Sequence, residues 1–118
     1  MRAQTSGATT NVLGDVAIVA LSGELDLALC IKVTPDINAA LRSPVRAVLI
    51  DLEAVSFVDS SGLALLLNVF RRLDQAGRQL AIACPIGPQR RAFELTALDR
   101  KLPMYETRGH ALAAVGAS

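Results

Sequence analysis

The sequence is short of the groups that most chemistries need. Its 118 residues include one histidine, no tryptophan, one tyrosine, three phenylalanines and two cysteines. His110, the lone histidine, stands in the C-terminal segment and reads as a surface residue rather than a general base. Scarce aromatics remove the stacking platforms on which single-stranded nucleic acid is held. Charge of neither sign dominates: twelve basic and eleven acidic residues leave a net charge of +1. The basic residues are scattered, so the footprint of a direct nucleic-acid binder is missing. Cys30 and Cys84 have no C-x-x-C pairing and no histidine at ligand spacing, which argues against a zinc site. Two reduced, buried thiols are the expectation, ahead of a redox pair. No apolar run reaches the ~20 residues of a membrane-spanning helix, so no membrane insertion is expected. The polar opening, with Asp15 ahead of the first apolar stretch, is not a signal peptide, and a cytoplasmic protein is expected. G-x-G-x-x-G, P-loop and G-x-S-x-G motifs are all absent. Nothing here assembles an enzyme or holds a cofactor.

What is present is a core. Apolar residues make up 52% of the chain, enough at this length to bury roughly two-thirds of the unfolded surface in one domain over residues 1–118. Only about the first eight residues read as flexible. "TNVLGDVAIVALSG" predicts two strands around a turn at Gly14-Asp15. "VRAVLIDL" (45–52) and "QLAIACP" (79–85) are near-continuous apolar runs, the pattern of parallel strands covered on both faces. "EAVSFV" extends the first of them, and "PMYE" predicts a short last strand. Helical patterns lie between. Pro35 is tolerated at the first position of a helix but not inside one, so Thr34 as cap and a helix over 35–42 are expected. A second helix is capped by Ser60 or Ser61 and ended by Gly77; a third opens at Gly87-Pro88 and runs to about Leu98; a fourth spans about 107–115. The alternation gives an α/β domain with a mainly parallel sheet of four or five strands and about four helices.

In such a sheet, functional loops collect at the carboxyl ends of the strands, where the next helix presents free N–H groups. "DSSG" (59–62) occupies that place, and on spacing alone its serine is an N-cap worth about 1 kcal/mol. "SGELDL" brings Glu24 and Asp26 to the end of the preceding strand. If that strand runs parallel to 45–52, Asp26 and Asp59 flank Ser60; on spacing alone they are two solvated loop acids. At 100° per residue, Leu63, Leu66, Leu67, Phe70 and Leu73 form a core stripe. Leu65 and Val69 fall beside it, either packed under a neighbouring helix or left as a partner-binding patch near the serine.

"GELD" after an early strand, "LIDLEAVSFVDSSGLALLL" and "P-x-R-R-A-F" together resemble the STAS domain, named for sulfate transporters and anti-sigma factor antagonists. The resemblance runs from about residue 10 to 115 and is strongest at "VSFVDSSGL" and "GELD". A domain of this length with D-S-S-G is similar to the bacterial anti-sigma factor antagonists. The resemblance implies a protein that binds an anti-sigma factor with serine kinase activity and so releases a sigma factor. It implies Ser60 as the phosphorylated residue, with the partner supplying ATP and magnesium and a phosphatase restoring the active form. Asp26, Asp59, Glu24, Ser61, Gly62, Leu65 and Val69 are then expected near the partner and its nucleotide, with Ser61 itself unmodified. The chain departs from the family at Pro35 and at Cys30, a position often filled by alanine. Two other classes stay open: a STAS scaffold in a larger signalling or transport assembly without a switch, and a nucleotide-binding module.

Overall fold

The chain's local signals close first into a hairpin. In a computed structural model that describes residues 6–116, β1 (Gly7–Leu13) and β2 (Val16–Leu25) pair antiparallel across Gly14-Asp15. Gly14 sits at φ 61°, a conformation costly to any residue with a Cβ. Leu13 pairs with Val16 and Gly7 with Ser22. Of the eight residues expected to be loose, Met1 to Thr5 lie outside the described part, and Gly7 and Ala8 are already strand.

The remaining strands are β3 (Ala47–Val58), β4 (Gln79–Ala83) and β5 (Met104–Tyr105), and the sheet order is β1-β2-β3-β4-β5, parallel from β2 onward. Three helices cover one face: α1 (Leu27–Arg42), α2 (Ser60–Gln75) and α3 (Pro88–Leu95). Helix α4 (Arg108–Ala114), capped by Thr107, packs Ala111 on the other face over Ile18, Leu49, Ala81 and Ala83. Alternate residues of β2, β3 and β4 therefore enter two cores, which explains their unbroken apolar runs.

Four expectations are corrected. Helix α1 starts at Leu27, eight residues before the proposed start, and carries Pro35 inside. Pro35 lies on the exposed side, so the carbonyl it deprives of a donor faces water. Leu29, Cys30, Val33, Ile37, Ala40 and Leu41 are buried along the other side and hold the helix together. Thr34 is no cap: its hydroxyl donates to the Cys30 carbonyl at 2.6 Å. Helix α3 stops at Leu95, and Ala97 at φ 59° leads into a 3₁₀ turn over Leu98–Arg100. On α2 the buried line is Gly62, Leu63, Leu66, Val69 and Leu73, while Leu67 and Phe70 are half-buried. The core stripe is therefore rotated, and Val69, 1% exposed, belongs to it.

Candidate functional site

The parallel register of β2 on β3 builds the site. Leu25 pairs with Val58, the last residues of the two strands, so the next residues, Asp26 and Asp59, leave the sheet side by side. Each then caps a helix from nearly the same backbone conformation: φ −105°, ψ −175° at Asp26 and φ −103°, ψ −171° at Asp59. Asp26 Oδ1 accepts from the Leu29 amide at 2.9 Å. Asp59 Oδ1 accepts from the Ser61 and Gly62 amides at 2.8 and 3.2 Å. The Asp59 amide donates across to the Leu25 carbonyl at 3.2 Å and ties the two cap turns together.

Asp59, not a serine, is thus the cap of α2, which corrects the sequence expectation. A carboxylate at this position also complements the positive end of the helix dipole. Ser60 becomes the first helical residue. It is exposed, and its hydroxyl is bonded to no other described residue. Ser61 is half-buried, one step further into the helix.

Gly62 is buried rather than presented to a partner. A Cβ there would lie 2.8 Å from the Leu25 carbonyl oxygen, 2.8 Å from Val58 Cγ1 and 2.9 Å from Leu25 Cγ. The bare backbone lets α2 seat directly on the ends of β2 and β3, which sets where Ser60 stands. Beneath both caps lies the Cys30 thiol. Burial pushes it up from its ordinary value, and the Asp59 and Asp26 charges push it further. One buried thiol thus senses both carboxylates.

Glu24 is exposed opposite Phe57 in the register, on the same rim. Leu65 is half-buried on α2. Val69 is inside the core and cannot belong to a partner surface, because its side chain is needed under the helix. Sequence reasoning missed three exposed apolar residues near the rim: Leu27 and Ile31 on α1, and Phe57 at the tip of β3. Leu27 and Ile31 stand one helical turn apart, a signal hidden by starting that helix at Pro35. Phe57 and Val58 line an open cavity of about 290 Å³ with Pro88, Arg91, Ala92 and Leu95. Among the described residues no cluster of three or more His, Cys, Asp or Glu side chains could hold a metal ion. No described helix is long and apolar enough to cross a membrane.

The chain is similar to known proteins in sequence and in fold. Residues 8–111 match the STAS domain family. An anti-sigma F factor antagonist of Paenibacillus polymyxa is 31% identical over 98 residues, covering 82% of this chain and 84% of that protein. The crystal structure of an anti-sigma factor antagonist from Mycobacterium paratuberculosis superposes with a TM-score of 0.87 at 30% identity, covering 94% of each chain. The phosphorylated form of the Bacillus cell fate determinant SpoIIAA shares the fold, with a TM-score of 0.70 at 24% identity over 92% of this chain and 99% of that one. These likenesses, with the hairpin-led, mostly parallel sheet, place the chain in the STAS domain family, alongside the anti-sigma factor antagonists, which are regulatory proteins and not enzymes.

Proposed function

We propose that this chain is a cytoplasmic anti-sigma factor antagonist switched by phosphorylation of Ser60. Unmodified, it binds an anti-sigma factor that is also a serine kinase, and a sigma factor is released. Phosphorylated, it lets go, and a phosphatase restores the binding form. The observation that carries this reading is Ser60 itself. It is an exposed hydroxyl with no bond to another described residue, held at the first position of a helix by the cap of its neighbour Asp59.

The transfer needs only a positioned acceptor from this chain. Ser60 Oγ attacks the γ-phosphorus of ATP held with magnesium by the partner. The new O–P bond forms as the bond to the ADP oxygen breaks, and the hydroxyl proton passes to the partner's base or to solvent. Asp59 positions the serine by fixing the first turn, and Asp26 lines the same rim.

The product is a phosphoserine carrying about 1.5 to 2 negative charges. The helix tolerates it, because an N-terminal dipole and free N–H groups favour anions. The complex does not, because a hydrated dianion would have to be buried beside Asp59 and Asp26. A penalty of about 3 kcal/mol lowers affinity more than a hundredfold.

The test is incubation with purified anti-sigma kinases and magnesium-ATP, followed by peptide mapping by mass spectrometry. One phosphate on Ser60, and none in the Ser60→Ala variant, is expected. A phosphate on Ser61, or equal labelling of Ser60→Ala, refutes the assignment. Stable partner binding with no labelling by any kinase would point instead to a scaffold without a switch.

A further inference from the structure

Helix α1 carries side chains that packing does not explain. Leu27 and Ile31 are 61% and 67% exposed, although their kind is usually buried. One turn apart, they share a face, and the exposed Pro35 continues it a further turn, making an apolar ridge about 12 Å long. Single apolar side chains on a surface need no explanation, but three stacked in one line do.

The ridge begins next to Asp26, on the rim that presents Ser60. Glu24, Asp26 and Asp59 border that end, and among the described residues none of the three has an ion-pair partner. Lys32, the nearest cation along the helix, is turned to the Ser6 carbonyl at 2.6 Å. Pro35 adds an acceptor, because without its N–H the Ile31 carbonyl loses its helical donor. The surface therefore offers apolar side chains edged with negative charge and carbonyl oxygen. Its complement is an apolar surface edged with lysine or arginine. The ridge continues the rim on which the proposed anti-sigma factor engages Ser60, which favours that partner over a second copy of the chain.

We infer that the Leu27–Ile31–Pro35 ridge docks against the anti-sigma factor while Ser60 is engaged, and selects which anti-sigma factor this chain binds. This rests on the function proposed above. From that rim the ridge runs along α1 away from the phosphoacceptor, so it contributes to encounter and retention rather than to transfer.

The experiment uses the full chain and the purified anti-sigma factor of its source organism that binds wild type most tightly. Leu27→Gln/Ile31→Gln should raise Kd more than tenfold by calorimetry. The melting temperature and the rate of Ser60 phosphorylation at saturating kinase should be unchanged. Val12→Gln, equally exposed at the far hairpin, should leave Kd unchanged. Should the glutamine pair disturb folding, Leu27→Ala/Ile31→Ala, which keeps helix propensity, must show the same loss of affinity. Unchanged Kd in a folded ridge variant overturns the inference, as does a wild-type dimer that the variant dissolves. Ser60→Asp separates the two readings. If it loses binding and the ridge variant does not, the switch stands and the ridge falls. If wild type binds no anti-sigma factor, both fall.

Discussion

Replacing Gly62 with alanine tests how the site is positioned. A single methyl group there meets a backbone oxygen at 2.8 Å, Val58 Cγ1 at 2.8 Å and Leu25 Cγ at 2.9 Å, all closer than carbon tolerates. Overpacking of this kind costs about 1 to 3 kcal/mol. Alanine returns up to about 1 kcal/mol in helix propensity, less in the first turn, where Gly62 stands. The net expectation is a loss of about 1 to 2 kcal/mol. At about 4 °C per kcal/mol for a domain of this length, the melting temperature should fall by about 4 to 8 °C. The strain is also local. The crowded Leu25 carbonyl is the one that accepts from the Asp59 amide, so relief by lifting α2 loosens the cap and displaces Ser60. Urea and thermal melts measure the first effect, and phosphorylation kinetics below the variant's melting temperature measure the second. A Gly62→Ala protein as stable as wild type would refute the close-seating account. One with reduced stability and unaltered kinetics would refute the claim that this contact places the serine.

Four further outcomes follow from the same geometry. Ser60→Asp should fold normally and bind the partner at least a hundredfold more weakly, whereas Ser60→Ala should bind and resist release by ATP; pull-down with and without ATP checks both. Asp59→Asn keeps a competent cap and should leave stability within about 0.5 kcal/mol and phosphorylation close to wild type, whereas Asp59→Ala should lose about 1 kcal/mol in denaturant melts and be phosphorylated more slowly. Leu66→Ala should cost about 2 to 5 kcal/mol and leave a folded Leu65→Ala comparison much less affected, because Leu66 is fully buried and Leu65 only half. Burial pushes the Cys84 thiol up to about 11, so the folded state holds its proton where the unfolded chain has lost it. Stability should therefore be complete below about pH 8.5 and decline as pH rises toward 11, a slope that Cys84→Ala makes shallower in pH-dependent melts, the raised Cys30 thiol accounting for a remaining share.

Much of the architecture was written in short-range patterns. Gly14-Asp15 between alternating strands specifies a hairpin, and the unbroken apolar runs of β3 and β4 specify strands covered twice. Thr107 ahead of the last helix specifies its start. Such signals are legible because each depends on neighbours a few residues away. The helix face was less legible. In "LALLLNVF" nearly every position is apolar, so a 100° repeat leaves the rotation of α2 open, and only its seating on the sheet chose Val69 over Phe70. The cap was ambiguous for a related reason. Asp59, Ser60 and Ser61 can all cap, and the choice fell to whichever residue stands where β3 ends, a point set by Val58 pairing with Leu25.

The sequence by itself determined the class of fold, the order of its main elements, and a D-S-S-G turn at a strand's carboxyl end, because periodicity and turn chemistry are local. Only the tertiary structure decided that Pro35 lies inside a helix, since burial of Leu29, Val33 and Ile37 outweighs the lost hydrogen bond on the exposed side. It alone decided that Asp26 and Asp59 meet over Cys30 with Ser60 beside them. Those residues lie far apart in the chain, and what joins them is the register of two parallel strands, which no local pattern specifies.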